Sequence, residues 1–332
     1  MKLSKISYGI LVGVALLVVT RLLIYATANP DEEAFARLFR ERYQIFSLGA
    51  PDHLDLAGEK VPLADPQVYE SFDRELLTNT YWQSNSLLMF KRAHRYFPTI
   101  EKILKQEGVP EDFKYLAVVE SNLSNVVSPA GAAGFWQLLP ETARELGLQV
   151  DDQVDERYHL EKSTRAAAKY LKKSYRDLGS WTMAAAAYNM GPGGLARQMK
   201  RQQAGNFYDL SLNSETARYV YRILAVKTIM ENPEDFGFKI KASHMYRAIP
   251  VKTLEIDSAI ADLGQFANGL GLNYRILKYH NPWLRESFLK NPEGKKYVVS
   301  LPVRDFELTP DMEGILPEVS DTASRSDTTL SR

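Results

Sequence analysis

Residues 110–121 read Pro110, Glu111, Asp112, Phe113, Lys114, Tyr115, Leu116, Ala117, Val118, Val119, Glu120, Ser121. Proline and acids suit the opening of a helix, where a missing N–H costs nothing and negative charge complements the dipole. Apolar residues follow. Phe113, Leu116, Ala117 and Glu120 stand at i, i+3, i+4 and i+7, so they share one helical face. That places a carboxylate on the apolar face of a helix whose other sides are also mostly apolar. Desolvation penalises its ionised form and raises its pKa. A Glu that holds its proton near neutral pH meets the need of a general acid, which works best when tuned toward ~6 to 7. On this segment alone the alternative is a Glu that ends its helix and faces solvent or an arginine.

Downstream, Ser128, Pro129, Ala130, Gly131, Ala132, Ala133 and Gly134 form a small-residue turn that would let backbone approach a ligand. Phe135, Trp136 and Gln137 follow: aromatic faces stack on sugar rings, and an amide offers donor and acceptor to hydroxyl or acetamido groups. Ser180 is placed to cap a helix in which Trp181, Ala184, Ala185 and Tyr188 share a face, and Asn189 with Gly191 to Gly194 ends it. Tyr188 is otherwise a core tyrosine with a satisfied hydroxyl. The glycine-rich turn lacks a preceding strand and a Lys-Ser/Thr tail, which excludes a phosphate loop.

Working outward, residues 31–46 predict a polar amphipathic helix, and the Gly-, Pro- and Asp-rich stretch to about 66 predicts a linker or irregular lead-in. Residues 73–108 carry apolar residues at helical spacing, with Pro98 where a new helix could begin. Short helices follow to about 231, and no run between 100 and 230 alternates long enough for a strand, so the block is expected to be all-α. Beyond Pro233 the order becomes strand (249–256), helix (259–270), helix (274–280) and strand (296–301). From 304 onward acidic residues, Ser and Thr replace apolar ones, and the last positions are expected to be disordered.

The 332 residues allow one or two domains, and 41 basic against 41 acidic side chains give no electrostatic footprint for nucleic acid. The chain has no cysteine, which removes disulfides, thiol nucleophiles and zinc-thiolate sites. Lys2 and Lys5 before an apolar run from Tyr8 to Val19, then Ala26-Thr27-Ala28, predict an export signal over 1–28, either cleaved or kept as a membrane anchor. Asp112 reads as a cap at a helix start. Asp151 to Glu156 read as a solvated acidic loop without EF-hand spacing, and the five histidines are scattered, so neither metal nor cofactor is expected.

Glu120-Ser121, Gly134-Phe135-Trp136-Gln137, Ala186-Ala187-Tyr188-Asn189 and Glu215-Thr216-x-x-Tyr219 resemble, in order, the motifs of lytic transglycosylases with a goose-lysozyme-like fold. The resemblance spans about 95–232 and is closest to the membrane-bound D-type branch; Trp136 stands where the wider family has methionine. It implies a mainly α, lysozyme-like catalytic domain that cleaves peptidoglycan glycan strands. Most glycosidases need two carboxylates, and only one well-placed candidate is legible here. The resemblance implies that the N-acetylmuramic acid unit supplies the nucleophile, its C6 hydroxyl closing a 1,6-anhydro ring while Glu120 serves as acid and then base. Gln137, Tyr188 and Asn189 would orient the sugar or the acid, and Ser121, Ser128 and Tyr219 would support the site. Residues 246–303 resemble a degenerate LysM module, a small α+β glycan-gripping unit, through Ile256-Asp257-Ser258, Ile260, Phe266, Leu277, Asn281-Pro282 and Tyr297 to Pro302; Ile256 stands in the usual glycine position.

The expected organisation is therefore a signal peptide or anchor (1–28), a helical N-terminal region (29–94), a lysozyme-like transglycosylase domain (95–232), a LysM-like module (246–303) and a tail (304–332). The expected location is the periplasm or cell envelope, with inner or outer membrane association through the N-terminus. A catalytically silent peptidoglycan-binding scaffold and a lysozyme-like hydrolase are the competing readings.

Overall fold

The computed structural model of the chain describes residues 44–303 together with positions 13, 14, 16–21 and 37. The chain divides into two units, Met1–Ser47 and Leu48–Arg332. In the first, positions 13, 14, 16–21 and 37 are helical, positions 44–46 at the end of the expected 31–46 helix are not, and the rest of that helix and of the expected leader lies outside the described residues, as does the 304–332 tail. No helix among the described residues is long and apolar enough to cross a membrane.

The second unit opens with a small hairpin, β1 (Asp55–Leu56) and β2 (Glu59–Lys60). Its turn, Ala57-Gly58, has positive φ at both positions, 55° and 80°, the combination that matches the twist of paired strands. The 47–66 stretch is thus no linker: Leu54, Leu56 and Val61 are buried in the main core, and Ala57 N donates to Asp112 Oδ2 at 2.7 Å. Asp112, expected as a helix cap, instead accepts from that turn and from Lys227 Nζ, also at 2.7 Å.

Helix α1 (Pro66–Tyr81) starts where Asp65 accepts from Gln67 N at 2.8 Å, with proline in its first turn. It buries Val68, Phe72, Glu75, Leu76 and Asn79 along one face, which packs on α8 (Ser214–Glu231). Helix α2 (Gln83–Glu107) runs through Pro98 without breaking. Pro98 is exposed, so water can satisfy the acceptor that its missing N–H leaves. Gly108, at φ 67°, closes α2, with Val109 N donating back to Leu104 O at 2.9 Å.

A 3-10 turn (Glu111–Phe113) leads into α3 (Lys114–Ser121), where Tyr115, Leu116, Ala117, Val118 and Ser121 are all buried. Next come α4 (Pro140–Glu145), α5 (Leu160–Leu178), α6 (Trp181–Met190) and α7 (Pro192–Gln202). Helix α8 is central: from Tyr219 to Ile229 all but Arg222 are buried. The body is mainly helical, as expected.

The C-terminal part has the expected order: β3 (Val251–Ile256), α9 (Leu263–Gly269), α10 (Tyr274–His280) and β4 (Tyr297–Pro302). The strands are antiparallel, from Val251 opposite Pro302 to Ile256 opposite Tyr297. Asn281, fully buried, donates to Leu277 O and Ser300 O and accepts from Ser300 N at 2.7 Å, pinning the end of α10 to β4. The apolar cluster of this part also takes in Ala133, Val154 and Tyr158 of the helical body. Asp155 N to Trp283 O at 2.9 Å and Arg285 N to Gln153 O at 2.8 Å join the two through backbone.

Candidate active site

Glu120 sits one residue before the end of α3. Its side chain is half-buried, and desolvation pushes its pKa up to about 7, against a hydrogen bond from Tyr219 and the charge of Arg222, with Glu215 adding to the rise. Tyr219, buried on α8, donates its hydroxyl to Glu120 Oε1. Burial raises the Tyr219 and Tyr188 hydroxyls well above their usual range, and the nearby Glu120 charge raises both further. Both phenols therefore stay protonated and can only donate or accept hydrogen bonds.

Two of the predicted residues act on the 134–137 loop through its main chain. Ser121 Oγ donates to Phe135 O at 2.8 Å, and Tyr188 OH donates to Trp136 O at 2.7 Å. Gly134, at φ 80°, is required there, since a Cβ would run into the Arg157 carbonyl. Trp136, expected to offer a face to sugar, is fully buried with its indole N–H donating to Thr164 Oγ1 at 2.9 Å. Phe135 is also buried, against Tyr96. Neither ring is free to stack, because the turn is tight enough that its side chains must enter the core.

Gln137, at φ 45°, spends its amide N–H groups on Val126 O and Gly134 O at 3.0 and 2.9 Å, which leaves its side-chain carbonyl as an acceptor. Ser128 Oγ accepts from Ala132 N at 3.1 Å and shapes the same turn. Asn189 Oδ1 accepts from Thr216 Oγ1 at 2.8 Å, tying the end of α6 to the first turn of α8. Tyr219 thus touches Glu120 directly, while Ser121, Ser128, Gln137 and Tyr188 bond to the 126–138 turn and Asn189 to Thr216.

Of the expected solvated acidic loop, Asp151 and Asp152 are exposed, while its other two acids are not. Asp155 and Glu156 are buried; Asp155 pairs with Arg157 at 2.7 Å, and Glu156 with Lys162 at 2.5 Å. Arg157 Nη1 also donates to Gly131 O and Leu138 O at 2.7 and 3.1 Å, bracing the turn on both sides of Gln137. These carboxylates carry the scaffold of the turn.

Two groups lay outside the sequence reading. Glu59 Oε1 accepts from Trp181 N at 2.6 Å, and its Oε2 from Ser180 Oγ and Thr182 N at 2.7 and 2.9 Å, so the β-hairpin caps α6 from outside. Burial would raise this carboxyl, but the donors outweigh it and hold it below the ordinary range. Ser180 caps the same helix as expected, accepting from Met183 N at 3.3 Å. The second group is Glu75, 1% exposed, which accepts from Arg218 Nε at 2.6 Å and lies 3.7 Å from Arg222 Nε. It fixes the arginine whose charge bears on Glu120. A carboxylate on the apolar face of α1 was the signal available for it.

Residues 97–211 match the family described as Transglycosylase SLT domain, and residues 252–305 match the soluble lytic transglycosylase C-terminal LysM-like domain. The chain is 28% identical over 251 residues to membrane-bound lytic murein transglycosylase D of Escherichia coli (strain K12), covering 73% of this chain and 54% of that protein. It therefore spans about half the length of the curated relative it matches. Among solved structures, an inactive mutant of the lytic transglycosylase Slt from Pseudomonas aeruginosa is 25% identical with a TM-score of 0.36, over 48% of this chain and 27% of that one. The 70 kDa soluble lytic transglycosylase from Escherichia coli is 18% identical with a TM-score of 0.38, over 64% and 42%. The chain thus carries a transglycosylase SLT domain followed by a LysM-like C-terminal domain.

Proposed function

We propose that the chain is an exported lytic transglycosylase of the cell envelope, which cleaves the β-1,4 bond between N-acetylmuramic acid and N-acetylglucosamine in peptidoglycan. The observation that carries this reading is the Glu120 carboxyl, buried to a pKa of about 7 and held by the Tyr219 hydroxyl. Near neutral pH such a group is present in both protonation states, which suits one residue that must act first as acid and then as base.

In the first step Glu120 gives its proton to the glycosidic oxygen as the bond to C1 of the muramic acid breaks. The acetamido oxygen of the same sugar takes up the positive charge that develops at C1. In the second step the C6 hydroxyl attacks C1, and its proton returns to Glu120. No water is consumed. Holding both reacting groups within one sugar replaces an external nucleophile. Tyr219 keeps the carboxylate in place between the two steps. Tyr188, Ser121 and Gln137 set the turn beside it, and the side-chain carbonyl of Gln137 is left to accept from a sugar hydroxyl or amide.

Intact sacculi incubated with the chain should release 1,6-anhydromuropeptides, and Glu120→Gln should abolish the release. Glu215 favours a second reading, hydrolysis, because its charge bears on Glu120. Its side chain is 62% exposed and lies 3.5 Å from Arg222. Mass spectrometry decides between the two: a hydrolysis product is one water heavier than the anhydro product, and a product lost in Glu215→Gln would assign that acid to the chemistry. The LysM-like part is proposed to grip glycan, and the N-terminal segment to direct export and membrane association.

A further inference from the structure

A cavity of about 620 Å³ lies between the helical body and the C-terminal part. Glu120, Gln137, Tyr188 and Tyr219 do not line it. Its walls come from α2, the loop after α3, the start of α5, the strand approach at 246–249 and the end of α10. Pockets of ~300 to 1,000 Å³ hold ligands of a few rings, so the space suits a disaccharide with a short appendage.

Arg92 and Arg95 stand on one wall. Arg92 donates to Asn122 O at 2.9 Å, and Arg95 to Arg247 O and Tyr279 OH, both at 2.9 Å. All of these acceptors are uncharged. Among the described residues neither guanidinium has a carboxylate within ion-pair distance. Glu161 is the sole carboxylate lining the cavity, so the wall is net cationic. Burial pushes His159 and His280 down, so neither adds a fixed charge. His159 Nδ1 is enclosed and has no hydrogen-bond partner. Tyr96, Tyr246 and Tyr279 supply aromatic surface, with the Arg95 guanidinium over the Tyr96 and Tyr246 rings; Trp283 is buried against Tyr297.

Unpaired guanidinium forks match carboxylates in geometry as well as charge, and aromatic walls suit sugar rings. We infer that this cavity is a second ligand site, separate from the Glu120 site, which takes a carboxylate-bearing sugar-peptide fragment of the wall polymer. The choice of ligand rests on the function proposed above. A strand cut at Glu120 would be held at a distance from the cut by its peptide stem.

The test is calorimetric titration of the full chain carrying Glu120→Gln with N-acetylglucosaminyl-N-acetylmuramoyl tripeptide, and with the same compound after amidation of its carboxylates. Two binding events are expected for the acid form, of which Arg92→Gln with Arg95→Gln removes one or weakens it at least tenfold. Amidation should have the same effect. An isotherm unchanged by both arginine substitutions would overturn the inference. Should that variant not fold, phenylglyoxal modification of the unaltered chain with peptide mapping replaces it: the tripeptide compound must protect Arg92 and Arg95, and equal modification with and without it would refute the site. Binding here is read without turnover, so a failure to form anhydro products would remove the proposed function and leave this measurement standing.

Discussion

Glu120→Gln tests the central physical claim through stability as well as activity. In the unfolded chain the carboxyl ionises at its ordinary value of 4.5, and in the folded chain at about 7. The sign follows from linkage: a carboxyl raised on folding binds its proton more tightly in the native state, so its stabilisation is full below pH 4.5 and is lost as pH rises through 7. At ~1.4 kcal/mol per tenfold, the gap amounts to roughly 3 kcal/mol. Glutamine keeps a side-chain oxygen for the Tyr219 donor but cannot ionise. The difference in unfolding free energy between Glu120→Gln and the unaltered chain should therefore move by about 3 kcal/mol in favour of the glutamine variant between pH 4 and pH 8. Urea denaturation of both proteins at pH 4, 6 and 8 measures it, and all other titrating groups cancel in the difference. A difference flat with pH would mean that Glu120 titrates in the folded chain at its ordinary value, so that it is ionised near neutral pH, and the proton donor would have to be sought elsewhere.

Tyr219→Phe removes a donor that favours the ionised acid, so the pKa of Glu120 should rise. The pH profile of anhydro-product release should shift upward by about one pH unit, with a loss of rate on the order of tenfold at its maximum; an unshifted profile would show that the hydroxyl does not bear on the acid. Glu59→Gln should cost roughly 1 kcal/mol by weakening the external cap of α6. Because the Glu59 carboxyl is held below its ordinary range, the stability it confers is present above pH 4.5 and is lost as pH falls further. Thermal unfolding at pH 7 and pH 3 checks this, and a variant equally destabilised at both would refute it.

Much of the site was legible because it follows local rules. The spacing that puts Glu120 on an apolar face, the Ser180 cap and the strand-helix-helix-strand order all rest on short-range periodicity and capping chemistry. What escaped depends on partners far away in the chain. The 47–66 stretch reads as a lead-in because its strands are two residues long, too short for any alternation to register. Its order comes from Asp112 and from the helix that Glu59 caps. Asp155 and Glu156 read as solvated because acidic runs in loops usually are, but Arg157 and Lys162 bury them as pairs. Trp136 was placed by type, as a sugar-facing ring, whereas the positive φ of Gly134 and of Gln137 turns the loop so that the indole enters the core.

The 134–137 loop is gripped by Ser121 and Tyr188 at its carbonyl oxygens, atoms that every amino acid brings to those positions. Two demands are thereby divided between different parts of the same residues: packing falls on the rings of Phe135 and Trp136, and attachment to α3 and α6 falls on the polypeptide itself. Evolution or design can exchange one large apolar side chain for another at 135 or 136 and disturb the interior without unfastening the loop from Ser121 and Tyr188. Altering Ser121 or Tyr188 would do the reverse, leaving the interior filled and the turn adrift.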